Sequence, residues 1–363
     1  MPATAPAPLA KLLDDFDAGK RAALARAISI VENHRVGFET ILAAMHVRLG
    51  RARRLGVTGP PGAGKSTLVT KLAAHYRGQG LTVGIVAVDP TSPFTGGALL
   101  GDRVRMESVA LDPGIYIRSM ATRGSLGGLA AATGEAADVL DGFGFDRVII
   151  ETVGVGQSEL DVARAADTSL VVLVPESGDS IQTLKAGLME IADVFVVNKA
   201  DRPGADRLRH ELELMLGLRM GHVFRNIPAH HGVDVKTINN PARAARAARA
   251  AAAAHDADTW TPPVLATMAE KGDGVPELAA ALDRHFEYLE RNGTLRERRR
   301  QRLRERVVEV VEYDVRRRLW RDQATTAWLD AQLPALESGA ATPFTIADEL
   351  LKRSATLITG ADT

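Results

Sequence analysis

Apolar positions between residues 9 and 51 recur at helical spacing: Leu9, Leu12, Leu13 and Phe16, then Ala23, Leu24, Ala27, Ile28 and Ile30, with charges between them. This period predicts two or three amphipathic helices. From Arg54 the pattern changes to short β-rich runs at 55–58, 82–88, 115–117, 147–151, 169–174 and 194–197, alternating with helical stretches. Strands joined by helical crossovers predict an α/β fold with a doubly wound, mostly parallel sheet flanked by helices. The run Val264–Thr267 would add a strand after an Ala/Arg-rich stretch at 242–254, whose Arg243, Arg246 and Arg249 read as the solvated face of a helix. Further on, the charged run 296–306 precedes Val307, Val308, Val310 and Val311, and a helical pattern continues to Thr363. These apolar faces have no evident partner in the sheet, which suggests an oligomer interface. The expected division is an N-terminal helical extension over 1–50, a sheet domain over 51–290 and a C-terminal helical extension over 291–363.

Composition narrows the chemistry. Among 363 residues, 45 Lys and Arg balance 45 Asp and Glu, which removes the global electrostatic reason to expect nucleic acid or an anionic membrane as partner. With Cys at 0, disulfides, thiolate catalysis and Cys-ligated metal sites are excluded. No segment approaches the ~18 uninterrupted apolar residues of a membrane span. The Pro/Ala start and the acids Asp14, Asp15 and Asp17 suit neither a secretory nor a transit segment, so a soluble, cytoplasmic protein is expected.

Gly59-Pro60-Pro61-Gly62-Ala63-Gly64-Lys65-Ser66, followed by Thr67, spells a phosphate-binding P-loop between a strand and a helix. Glycines let consecutive N–H groups turn inward around a polyphosphate, and the helix dipole adds positive potential. Lys65 would reach the β- and γ-phosphates, and the Ser66 hydroxyl would bind Mg²⁺. Asn198-Lys199-Ala200-Asp201 follows a strand, at the end where open α/β sheets bind ligands. The Asp201 carboxylate can accept from both N1–H and the exocyclic amine of guanine, a donor pair that adenine lacks, which points to GTP and GDP. Asn198 and Lys199 would buttress the loop and cover the base.

The acids supply the rest. Glu151 ends the strand 147–151 and is positioned to hold Mg²⁺ directly or through water. Asp89 ends the strand 82–88, read as lying next to the P-loop strand, where it could serve metal or position water. Asp102 follows the glycines Gly96 and Gly97 and is either an ordinary loop acid or part of a nucleotide switch. The segment from Glu176 to Lys185 either caps a helix or forms a partner-sensing loop. No glutamine directly follows Gly154, and Gln157 is a weak substitute, so slow turnover is expected. His222, His230 and His231 read as surface or loop residues.

Together these motifs resemble the methylmalonyl-CoA mutase-associated GTPases, MeaB-like and ArgK-type. The resemblance runs from about Gly37 to Leu319 through the P-loop, Asp89-Pro90 with Ser92-Pro93, Gly101-Asp102-Arg103-Val104-Arg105-Met106, Ile117-Arg118-Ser119, the Glu151–Glu159 string, Ser177-Gly178-Asp179 and Asn198–Asp201. It implies a P-loop NTPase fold and a weak, partner-stimulated GTPase. Such a protein chaperones an adenosylcobalamin-dependent acyl-CoA mutase, gating cofactor loading, protection or reactivation. It further implies a catalytic role for Lys65, an acidic set of Asp89, Asp102 and Glu151 with Ser66 around the metal, and homodimerisation through terminal helices. The segment 176–185 would communicate with the mutase. The base-backing motif falls on Met268, Ala269 and Glu270, which depart from the usual Ser-Ala-Leu. A nickel metallochaperone GTPase is the alternative, against which stand the missing Cys and scattered His; a P-loop kinase is another, against which stands Asn198–Asp201.

Overall fold

The strand runs are apolar on consecutive positions because both faces of the sheet are covered. The structure, a computed structural model, describes residues 7–89, 106–121, 128–152, 158–176, 187–219, 259–355 and 357. Its strands are β1 (Arg53–Thr58), β2 (Val83–Asp89), β3 (Ile115–Ala121), β4 (Arg147–Thr152), β5 (Thr168–Leu173), β6 (Val194–Asn198) and β7 (Val264–Thr267). They form one seven-stranded sheet in the order β3-β2-β4-β1-β5-β6-β7, with every pairing parallel. The expected α/β architecture is thus observed. One neighbour relation is corrected: β2, which ends at Asp89, does not adjoin the P-loop strand, because β4 lies between them.

Alternate residues of each strand feed different cores, as the two-residue period requires. On one face, Val57, Ile85, Ile149, Leu170, Val172, Val194 and Val196 pack with the helices Lys65–Gly78 and Val275–Arg291. On the other, Val86, Val88, Val148 and Ile150 meet helices Gly128–Phe143 and Ser158–Ala165, and Val171, Leu173, Phe195 and Val197 meet Ala205–Arg219.

The N-terminal pattern forms the helices Ala7–Asp17, Arg21–Glu32 and Phe38–His46. Their apolar stripe, including Leu9, Leu12, Phe16, Leu24, Ile28, Ile41 and Met45, joins the core around Gly128–Phe143. Buried Asp141 then fixes the lead-in to β1. It accepts from the backbone N–H groups of Gly50, Arg51 and Ala52 and from the Arg54 guanidinium. Three backbone donors and one guanidinium converge on this one buried carboxylate, so the entry to the P-loop strand is strongly determined.

By contact, the chain divides into Met1–Arg298 and Arg299–Thr363. The charged run at 296–306 lies in one 28-residue helix, Thr294–Arg321. In the second unit, Asp322 caps Gln323–Glu337 by accepting from the Thr325 N–H, and Thr342 forms a capping box with Thr345 on Pro343–Arg353. Val307, Val308, Val310 and Val311 are all exposed. The stretch 242–254 lies outside the described residues.

At the amino end of β6, Asp193 gathers a buried polar cluster. Arg298 donates from both terminal nitrogens to its two carboxylate oxygens at 3.0 and 2.9 Å, and Ser169 N–H donates to one of them at 2.8 Å. His285 Nε2 lies 3.3 Å from Asp193 Oδ1, while its Nδ1 lies 2.9 Å from Thr168 Oγ1. Burial alone would push the Asp193 carboxyl up, but the adjacent His285 and the hydrogen-bonded Arg298 outweigh it and hold the group below the usual carboxylate range. A depressed pKa stabilises the fold above the unfolded value of about 3.9, and that contribution is lost as pH falls through the folded value. Asp193→Asn is therefore expected to cost about 2–3 kcal/mol at neutral pH, less than for a fully enclosed pair, since the Arg298 side chain is 39% exposed. Urea denaturation as a function of pH checks this: the gap from wild type should hold down to about pH 4 and close below it.

Candidate functional site

The carboxyl ends of β1, β4, β5, β6 and β7 meet around the P-loop, and two of its glycines are dictated by contact. Gly59 has φ +136°, and a Cβ there would stand 2.0 Å from the Val172 carbonyl oxygen on β5. Gly64, at φ +85°, would bring a Cβ within 2.4 Å of Asn198 Nδ2 on β6. Side chains at either position would be strained by backbone and by clash together. The loop then opens directly into the helix Lys65–Gly78, whose first N–H groups face the place where phosphate is expected.

Lys65 is buried, and its ammonium donates to the carbonyls of Gly59 at 2.8 Å and Pro60 at 2.9 Å. The cation is thus held inside the loop by neutral acceptors, which phosphate oxygens can outcompete as charged ones. Beside it, the Ser66 hydroxyl donates to Glu151 Oε1 at 2.6 Å, both residues being buried. Glu151 sits in register with Val57 on β1 and Ala87 on β2, so the strand-end acid reaches the P-loop from β4 as expected. A hydroxyl and a carboxylate in contact at the loop mouth are the hard oxygen donors that Mg²⁺ favours, so this pair fits that ion. Thr152 Oγ1 donates to Thr58 Oγ1 at 3.1 Å and ties the ends of β4 and β1 together beside them.

Asn198 connects the P-loop to the segment that follows β7. Its Nδ2 donates to the Ala63 carbonyl at 2.8 Å, while its Oδ1 accepts from the Ala269 N–H at 3.0 Å and the Thr267 hydroxyl at 3.1 Å. The next turn places Lys199 at φ +56°, returns an Arg202 N–H to the Lys199 carbonyl at 2.9 Å, and leaves Asp201 exposed. It is stitched to β7 by Ala200 N–H donating to the Thr267 carbonyl at 3.0 Å. The segment Met268, Ala269 and Glu270 follows β7, and the Met268 N–H donates to the Asp273 carbonyl at 3.0 Å. The expected base-side residues are therefore neighbours in space.

Residue-type reasoning missed three participants. Thr58, Thr152 and Thr267 are strand-end threonines whose hydroxyls lock adjacent strands, and their only sequence signal is a β-branched hydroxyl at a strand's last positions. Asp89 is the last residue of β2, paired with Ala121 of β3. Its side chain lies outside the described residues, as do Asp102, Gly154, Gln157, the segment 177–186, and His222, His230 and His231. Among the described residues no group of three or more His, Cys, Asp or Glu side chains could hold a metal. Among them, too, no helix is long and apolar enough to cross a membrane.

Comparison with known proteins agrees with this geometry. The family described as methylmalonyl Co-A mutase-associated GTPase MeaB matches residues 24–324. The GTPase ArgK of Escherichia coli is 32% identical over 346 residues, covering 93% of this chain and 94% of that protein. The mitochondrial methylmalonic aciduria type A homolog of Mus musculus is 31% identical over 352 residues, covering 92% of this chain and 76% of its own. A crystal structure titled LAO/AO transport system kinase superposes with a TM-score of 0.64 at 27% identity, covering 96% of this chain and 98% of that one. With a P-loop, a strand-end acid and a base-side turn assembled as above, the chain belongs to the MeaB family of P-loop GTPases.

Proposed function

We propose that the chain is a guanine-nucleotide switch that binds an adenosylcobalamin-dependent acyl-CoA mutase and gates the loading, protection or reactivation of its cofactor. The observation that carries this reading is the family match across 24–324, whose description names the mutase association. The methylmalonic aciduria relative supports it in the same direction.

The chemistry proposed is attack of water on the γ-phosphorus of GTP, with the bond to the bridging oxygen breaking and GDP and phosphate leaving. Such transfers are catalysed mostly by positioning and charge stabilisation. Lys65 exchanges its loop carbonyls for the β- and γ-phosphate oxygens. Residues 59–67 cradle the polyphosphate, Asp201 reads guanine with Asn198 and Lys199 behind it, and residues 268–270 back the base. Ser66 and Glu151 would hold Mg²⁺, joined in this proposal by Asp89 and Asp102, and that ion supplies charge neutralisation at the phosphates. With no glutamine directly after Gly154, intrinsic turnover is slow and the partner raises it. A second copy of the chain would dock through residues 291–363, where Val307 and Val311 are 63% and 54% exposed.

Three outcomes are expected. GTP should raise the thermal unfolding midpoint and ATP should not, since saturation stabilises by RT ln(1 + [L]/Kd) and only the guanine nucleotide would saturate. Protection by both equally would return the kinase reading. Glu151→Gln keeps a partner for the Ser66 hydroxyl and removes the charge, so hydrolysis should fall on the order of a hundredfold while folding survives. Finally, adding the cell's own B12-dependent acyl-CoA mutase should accelerate GTP turnover at least about tenfold, the scale of a coupling free energy of 1–3 kcal/mol. Unchanged turnover, with no mutase recovered on a non-hydrolysable GTP analogue, would overturn the client assignment.

A further inference from the structure

The turn bearing Asp201 is anchored by a side chain outside the nucleotide motif. Arg202 donates from its guanidinium to Glu176 Oε1, in the chain leaving β5. Its neighbour Lys199 sits at φ +56°, a left-handed conformation that costs a side-chain-bearing residue energy and persists only where surroundings enforce it. The enforcement is visible on three sides. The Arg202 N–H closes the turn on Lys199, the Ala200 N–H fastens it to β7, and the Arg202 side chain fastens it to the end of β5.

Charge adds a second constraint. The Arg202 guanidinium is stabilised in its charged form first by the Glu176 hydrogen bond and also by the charges of Asp201 and Glu270. Glu176 holds the guanidinium by contact, and the charges of Asp201 and Glu270 add to the negative potential around it. A nucleotide is itself anionic, and in the proposed reading the Asp201 carboxylate accepts two N–H groups from guanine. Without the guanidinium, the negative potential at this turn would be less offset where the anionic nucleotide docks.

We propose that Arg202 is a positioning residue for guanine recognition, tying the Asp201 turn to Glu176 at the end of β5 and offsetting the negative charge around it. The inference rests on Asp201 as the guanine contact. Arg is suited to the role because its planar fork holds one carboxylate in a fixed direction while its charge serves the others. Both side chains of the pair are 48% exposed, so the effect is one of tuning.

Calorimetry on the full chain with GDP and with inosine diphosphate, which lacks the 2-amino group, separates the two claims. Wild type should prefer GDP by at least about tenfold, the scale of a lost hydrogen bond to a charged group. Absence of that preference would refute Asp201 as the reader, and the role of Arg202 with it. Arg202→Gln should weaken GDP by about two- to fivefold, the range of an exposed ion pair, and inosine diphosphate by less, so that the selectivity ratio narrows. The deficit should shrink at about 0.5 M salt, where screening weakens the carboxylate repulsion. Arg202→Lys should recover part of the affinity, and Glu176→Gln should narrow the ratio in the same direction. A wild-type preference that survives unchanged in Arg202→Gln would overturn the positioning role alone. So would a loss equal for both nucleotides and insensitive to salt, since that is the signature of general loosening.

Discussion

Asn198 is the residue on which the rest of the site depends. One buried carboxamide donates to the P-loop at Ala63 and accepts from Thr267 at the end of β7 and from Ala269 just after it. An amide is suited to this position because it carries donor and acceptor on one rigid plane. Its place against Gly64 is so close that no Cβ fits between them, so the glycine of the phosphate motif and the asparagine of the base motif require each other. The P-loop and the segment after β7 are therefore one polar network, and buried networks of this kind either hold one geometry or lose several bonds together.

The sheet delivers that network by its order. With β1 between β4 and β5, the P-loop is flanked by the Glu151 strand on one side and by the strand whose Val172 carbonyl presses on Gly59 on the other. β6 and β7 then carry the base side outward, one strand at a time. Asp141 fixes the entry to β1 and Asp193 the entry to β6, so both motif-bearing strands are held at their amino ends by a buried carboxylate and carry their motifs at their carboxyl ends. The buried carboxylates at one end of the sheet and the P-loop with Asn198 at the other are opposite ends of the same strands.

Much of this was legible in the sequence, for physical reasons. Runs such as those at 148–150 and 194–197 are apolar at every position because both faces are covered, and their ends follow where polar motif residues begin. The P-loop, Glu151 and Asn198 were readable because each combines a residue type with a place at a strand end. Spatial order was not readable. The chain visits β2 and β3 before inserting β4 next to β1, and nothing local to Asp89 distinguishes its strand from a neighbour of β1. The long-range polar bonds were equally hidden. Asp141, Thr58, Thr152 and the Arg202 to Glu176 pair join residues far apart in sequence, and each looks like an ordinary helix, strand or turn residue until the partner is in place.

If one carboxamide keeps the phosphate and base halves in register, its removal has to be felt by the whole nucleotide. The most direct test is the GDP affinity of Asn198→Ala, measured by calorimetry on protein shown to unfold cooperatively. Losing one bond to the P-loop and two to the β7 side predicts a decrease on the order of a hundredfold, from about 1 kcal/mol per buried hydrogen bond. An affinity within about threefold of wild type would contradict the account, because the two halves would then hold their register without the residue that joins them.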